Sequence, residues 1–383
     1  MKKRQSILIL TIGILIISLA FFILLTNLSS NPPSCYLGVS FCGNTVHEAK
    51  LLIDKVKSYT NLFVLQSGPL SRNETATDEI CNYAVASGLR VIVYFGDLDP
   101  KWLTKETMWR ASWIKTTKQR WGDSFLGIYY YDEVGGLYLD TDKNATRWRL
   151  PPNSTYDTRA EDFINRLQKE PGAIALKANS TTIFVSDYVL YWFDYIGGFD
   201  VVLAQAGWNH TFSQDIALLR GAATVQGKDW GTIITWKYNQ PPYLDSGPEI
   251  YKQMRISFEA GAKYIVVFNY PYEEGNTYGT LKDEHFEAIE KLWNEIKDDK
   301  ITHRSIKAKA VLVLPRNYGW GMRTPEDTIW GFWGPDEKSP QIWEITQELL
   351  RQYEFSLDII YEDPNFQYKG KYSKIYFWNS TVY

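Results

Sequence analysis

Between Tyr36 and Lys297 the sequence alternates short apolar runs with longer amphipathic stretches, and this rhythm restricts the fold more than any other feature. The runs are Tyr36–Phe41, Asn61–Gln66, Arg90–Phe95, Leu126–Tyr131, Thr182–Ser186, Asp200–Gln205, Gly231–Lys237 and Tyr264–Asn269. They are rich in Val, Ile, Tyr and Phe and nearly continuous in apolarity, the signature of strands covered on both faces in a parallel sheet. The stretches between them, such as Val46–Tyr59, Asp78–Ala86, Thr158–Lys169, Gly247–Ala260 and Asp283–Lys297, carry apolar residues at helical spacing. Gly88, Gly221 and Gly261 read as C-caps that end helices before the next strand. Eight such units match a (β/α)8 TIM barrel, which needs about 250 residues. An open doubly wound sheet is the alternative, but no dinucleotide fingerprint accompanies it.

Two further segments flank the barrel. Lys2, Lys3 and Arg4 precede an apolar run, Ile7–Leu25, long enough to span about 30 Å of hydrocarbon as a helix. Thr26–Ser30 is a poor cleavage site, so the run reads as a retained transmembrane anchor. The basic cluster would stay inside, with the bulk of the chain outside the cytoplasm. After the barrel, Ala310–Leu314, Pro340–Tyr353, Leu357–Tyr361 and Lys374–Trp378 read as strand, helix, strand and strand. The division is therefore 1–34 as tip, anchor and linker, 35–300 as barrel, and 301–383 as a small α/β appendage.

Sequons at Asn27, Asn73, Asn144, Asn153, Asn179, Asn209 and Asn379 support the external orientation and read as glycosylation sites, except Asn27 beside the anchor. The chain has three cysteines. Cys35 and Cys42 flank one strand, about 23 Å apart when extended, too far for a mutual disulfide. A bridge would need Cys81, with Cys42–Cys81 the pairing expected. Four scattered histidines and the lack of a CxxC pattern predict no metal site and no cofactor. A net charge of −3 argues against a nucleic-acid partner.

Barrel active sites lie at the C-terminal ends of the strands. The fourth end is the sharpest: Tyr129-Tyr130-Tyr131-Asp132-Glu133, then Gly135-Gly136, which let the backbone approach a ligand. The insertion that follows, Leu137–Asp157, is a candidate lid. An aromatic surround would desolvate Glu133 and raise its pKa, as a proton donor requires. The other ends contribute candidate glycan-binding residues: Asp97, Asp187, Gln205, Trp208, Trp236, Lys237, Tyr238, Asn269, Tyr270 and Glu273. Aromatics make up 15% of the chain, and they serve either as core plugs or as surfaces that stack on sugar faces. The loop Asn317–Pro340, with Trp320, Trp330, Phe332 and Trp333, admits the same two readings.

The order of elements, the Asp-Glu pair ending strand 4 and the aromatic strand ends resemble the (β/α)8 glycoside hydrolases. The resemblance implies a glycan substrate and carboxylate acid catalysis. The commonest of those barrels carry Asn-Glu at strand 4 and Glu at strand 7, whereas here strand 7 offers Trp236, Lys237 and Tyr238. The adjacent Asp132-Glu133 is also similar to the substrate-assisted hexosaminidases. That resemblance implies Glu133 as the general acid and Asp132 as the residue that orients a 2-acetamido group. A pair of Glu133 with Asp187, Asp97 or Glu273 is the other catalytic arrangement. A non-catalytic glycan-binding or surface-layer-associated protein on a degenerate barrel is the alternative to an enzyme.

Overall fold

Eight parallel strands close on themselves in sequence order, β1 pairing with both β2 and β8. They are β1 (Tyr36–Phe41), β2 (Leu62–Leu65), β3 (Arg90–Tyr94), β4 (Phe125–Asp132), β5 (Ile183–Asp187), β6 (Val201–Ala206), β7 (Asp229–Ile234) and β8 (Tyr264–Val267). The structure is a computed structural model that describes residues 33–96, 98–99, 101, 103–140, 153–208, 210–270 and 275–380. The apolar run Ile7–Leu25 lies outside the described residues, as do Asp97, Asn144, Asn209, Glu273 and most of the expected lid. Among the described residues no helix is long and apolar enough to cross a membrane.

The outer layer consists of α1 (Val46–Val56), α2 (Glu74–Ala86), α3 (Arg110–Trp121), α4 (Val134–Leu139), α5 (Tyr156–Gln168), α6 (Pro171–Ala178), α7 (Tyr191–Gly197), α8 (Phe212–Gln226), α9 (Gly247–Ala260) and α10 (Asp283–Lys297). Local chemistry explains several of their starts. Thr45 caps α1 with a reciprocal Glu48 bond, and Asn73 caps α2 by accepting from the Ala76 amide. Strand residues that point outwards join the large apolar cluster with these helices, whereas Tyr36, Leu62, Val64, Ile92, Tyr129, Phe184, Val201, Leu203, Ile233, Tyr264 and Val266 fill the barrel interior. The interior is thus a packed core, and catalysis is expected at the rim formed by the carboxyl ends of the strands.

β4 departs from the regular pleat in a way that matters for that rim. Opposite β5, Tyr129 pairs with Phe184, Tyr131 with Val185 and Asp132 with Ser186, so a bulge absorbs one residue. In a regular strand Asp132, three residues after the inward Tyr129, would face the helices. The bulge returns it to the inner face beside Ser186.

The appendage is a three-stranded parallel sheet in the order β10 (Leu357–Tyr361), β9 (Ala310–Leu314), β11 (Lys374–Phe377), covered by α11 (Ser339–Tyr353). It packs against α8. Gly221, expected as a C-cap, lies inside α8, which ends at Gly227 in the left-handed conformation. The reason for a glycine there is close approach: a Cβ would stand 2.5 Å from the Ile359 carbonyl oxygen of β10. Next to it Arg220 Nε and Asp358 Oδ1 form a buried ion pair at 2.8 Å. Barrel and appendage together form one compact unit, Cys35–Tyr383.

The aromatic loop after β9 behaves as a plug. Trp320 and Trp330 are buried, and Trp330 packs on Tyr138, Phe163 and Phe193 of the barrel helices. The expected Cys42–Cys81 disulfide is not formed: all three thiols are free, and Cys81 is sealed in the core on α2.

Candidate active site

The carboxyl ends of β2 and β4 to β8 enclose a cavity of about 220 Å³. Its polar side is made by Gln66, Tyr129, Asp132, Glu133, Ser186, Gln205 and Thr235, and its apolar wall by Trp208, Ile233, Trp236, Phe268 and Tyr270. Strand alternation puts them there. Ser186 continues the inward row of Phe184, Gln205 that of Val201 and Leu203, Thr235 that of Ile233, and Phe268 that of Val266.

The two acids are held differently. Asp132 Oδ1 accepts the Tyr129 hydroxyl at 2.6 Å and the Ser186 hydroxyl at 2.5 Å. Glu133 Oε1 accepts Gln205 Nε2 at 3.0 Å, and the same amide nitrogen lies 2.9 Å from Ser186 Oγ. Gln66 Nε2 reaches the Tyr129 hydroxyl at 3.4 Å. These bonds link side chains of β2, β4, β5 and β6 into one network. Among the described residues no donor reaches Asp132 Oδ2 or Glu133 Oε2. Each carboxylate therefore has one oxygen fixed by the protein and one left for a ligand.

Burial is the main cause that raises the Glu133 pKa; the Asp132 charge and the more distant Asp140 add to it, and the Gln205 bond opposes it. Burial also raises Asp132, against the Ser186 and Tyr129 hydroxyls that favour its anion. Two adjacent carboxyls in a partly dry site resist double ionisation, which separates a proton holder from an anion.

The backbone around Glu133 is clamped. Glu133 sits at φ 57°, ψ 38°, the left-handed region, where it turns the chain from β4 into α4. Asp187, fully buried, takes the Gly135 amide at 2.5 Å and the Gly136 amide at 3.0 Å, with Tyr188 N at 2.8 Å and Val189 N at 3.3 Å. Glycine is needed at 136 because a Cβ there would stand 2.0 Å from the Tyr188 ring. Beyond α4, Asp140 accepts the Tyr188 hydroxyl at 2.6 Å and two nitrogens of Arg323, at 2.9 and 2.8 Å. Arg323 comes from the appendage loop and is also held by Asp327.

Of the residues expected to bind substrate, Gln205, Trp208, Trp236 and Tyr270 line the cavity with the acids. Trp208 is 38% exposed at φ 50°, and its ring centroid lies 6.0 Å from that of Trp236. Trp236 in turn meets Tyr270 edge-on at 5.4 Å. Asp187 does not line the cavity; its oxygens are occupied by backbone amides, so it positions the acid turn instead. Asn269 is buried, and its Oδ1 accepts the Thr280 amide at 3.0 Å beside a separate cavity near Gly43 and Gly279. Lys237 and Tyr238 lie past the end of β7 and do not line the cavity. Gln66 and Ser186, which stand at strand ends in the sequence, and Thr235 and Phe268 also line the cavity but were not among the residues expected to bind substrate. Ser186 carried a usable signal, standing two residues after Phe184 on a parallel strand. Among the described residues no group of three His, Cys, Asp or Glu could hold a metal ion.

No family model and no curated protein matches the sequence. Solved structures do match the fold. The GH5_18 protein of Streptomyces cattleya, in complex with GlcNAc, superposes with a TM-score of 0.56 at 12% identity, covering 90% of this chain and 98% of that one. A variant of GH5_18 from Bifidobacterium longum, in complex with Manβ1-4GlcNAc, gives 0.54 at 10% identity, covering 90% and 96%. That share exceeds the barrel alone and takes in the appendage. The chain has the fold of these GH5_18 proteins over 90% of its length.

Proposed function

We propose that the chain is a glycoside hydrolase acting on glycans that contain an N-acetylhexosamine, with Glu133 as proton donor and Asp132 as partner of the substrate's own acetamido group. The observation that carries this reading is the pair of half-fixed carboxyls, Asp132 and Glu133, facing an aromatic wall in a cavity where no third acid is found among the described lining residues. Asp187 is already engaged by amides, and Asp97 and Glu273 lie outside the described residues.

In the first step the Glu133 carboxylic acid gives its proton to the glycosidic oxygen as the bond from C1 to that oxygen breaks. The acetamido carbonyl oxygen forms the new bond to C1, and the Asp132 carboxylate accepts a hydrogen bond from the acetamido N–H. In the second step the Glu133 carboxylate takes a proton from water, whose oxygen bonds to C1 as the acetamido oxygen leaves. Glu133 is then protonated again. Trp208 and Trp236 offer flat apolar faces to the sugar ring. Two solved structures of the same fold hold GlcNAc or a GlcNAc-containing disaccharide, which supports this substrate class.

The test is hydrolysis of chromogenic N-acetylhexosaminides by the purified protein and by Glu133→Gln, with a GlcNAc-thiazoline as inhibitor. Turnover lost in the variant and blocked by the thiazoline supports the reading. Glycan binding by both proteins with turnover by neither makes this a glycan-binding barrel. We also place the barrel outside the cytoplasm, tethered by Ile7–Leu25. Support comes from the sequons: Asn73, Asn153, Asn179 and Asn379 are all exposed. Peptide mass spectrometry of protein from its native source, with unmodified asparagine at every sequon, would count against that placement.

A further inference from the structure

Apart from the cavity near Gly43 and Gly279, the barrel has a second cavity at the end opposite the acids, about 380 Å³ and larger than theirs. Trp230, near the start of β7, lines it, whereas Ile233 and Thr235 at the end of that strand line the cavity of the acids. The two are therefore separate. The second lies where α8, the loops entering β7 and β8, and the appendage meet.

Its charge is one-sided. Arg220, Lys228, Arg304, Lys307 and Lys371 line it against a single carboxylate, Asp358, in a chain whose net charge is −3. Asp358 is already engaged: Oδ1 accepts Arg220 Nε at 2.8 Å and Oδ2 accepts the Tyr372 hydroxyl at 2.8 Å. Lys228 stands 3.5 Å from Asp200. Arg304, Lys307 and Lys371 are exposed and have no acidic partner among the described residues. Like charges converge on a concavity only at a cost, so the arrangement asks for a counter-charge.

A second observation is independent of the surface charge. Arg220 is 5% exposed, and its Nη2 donates to the Phe355 and Leu357 carbonyls at 2.7 and 3.0 Å. Its Nη1 has no hydrogen-bond partner. A buried guanidinium donor left unmet is costly, and Arg220 keeps its positive charge beneath the cleft that it lines.

We propose that this cleft binds a ligand bearing a phosphate or sulfate group, with Arg220 in its floor and Arg304, Lys307 and Lys371 at its rim. The group can belong to a free inorganic ion or to an ester on a sugar. Binding there leaves the cavity of Asp132 and Glu133 open.

Isothermal titration calorimetry of the purified protein at constant ionic strength tests this, using inorganic phosphate, inorganic sulfate and glucose 6-phosphate, with chloride as background. Saturable one-to-one binding of at least one of them is expected, together with amide NMR shifts at Thr224, Gly227 and Lys371. The double variant Arg304→Ala, Lys307→Ala changes only exposed residues, and it should weaken binding at least about tenfold while the thermal melt stays unchanged. Tighter glucose 6-phosphate than phosphate assigns the ester; the reverse order assigns the free ion. No saturable heat with any probe overturns the proposal. So does an equal loss in the control double variant Lys115→Ala, Lys118→Ala, whose exposed lysines lie on α3 away from the cleft.

Discussion

A carboxyl group that must hold a proton near neutral pH needs a partly dry setting and a nearby negative charge, and Glu133 has both. Replacing it with Gln keeps the shape and removes the proton. We expect Glu133→Gln to lose about 10²–10⁴-fold in kcat with little change in KM, measured on a chromogenic N-acetylhexosaminide. The pH dependence follows from the signs. In the proposed mechanism Glu133 acts protonated, so activity should fall as pH rises through its raised pKa. In the same mechanism Asp132 acts as the anion, so activity should fall as pH drops through its own raised pKa, giving a bell-shaped profile. Gln205 donates to Glu133 Oε1 and so favours the anion. Gln205→Leu should shift the alkaline limb of kcat/KM to higher pH; a limb that stays in place, or moves down, removes Gln205 from that role.

At the scale of elements, the turn from β4 into α4 is held by Asp187, by Tyr188 and, through Asp140, by Arg323 of the appendage loop. Gly136→Ala pushes a Cβ into the Tyr188 ring and should destabilise the fold by about 1–3 kcal/mol, read as a lower urea midpoint. Arg323→Ala leaves the more distant Asp140 charge uncompensated, so the alkaline limb should again rise, by less, measured in the same pH profile. The strands were legible because burial on both faces demands continuous apolarity, and all eight fall within a few residues of the runs in the sequence. The role of Asp187 at the acid turn was not legible, because the two amides it holds there lie some fifty residues earlier in the chain. Nor was the place of Gly221: a glycine ending a helix and a glycine beneath a neighbouring strand look the same in sequence.

At the scale of the whole molecule, barrel and appendage are joined through α8 and β10 by a buried ion pair. Asp358→Asn leaves the Arg220 charge without its counterion in a buried setting, and should cost about 3–5 kcal/mol. Because the joint is buried, unfolding followed by tryptophan fluorescence and by far-ultraviolet circular dichroism should give coincident transitions in urea. Two separated transitions would mean that the small sheet unfolds by itself. The excess of aromatics also divides at this scale. Trp320 and Trp330 seal the appendage loop onto the barrel, whereas Trp208 and Trp236 line the mouth.

The bulge in β4 has a consequence for how such chains are compared. Tyr130 and Tyr131 together oppose one residue of β5, so one of them is surplus to the pleat. A chain with one residue fewer between the positions of Tyr129 and Asp132 would aim the same carboxylate inward from a regular strand. Aligning it correctly with this one requires a gap within a buried strand, where sequence comparison is least willing to open one. Two barrels can therefore share the acid, its direction and its neighbours while their sequences fall out of step by one residue at that point.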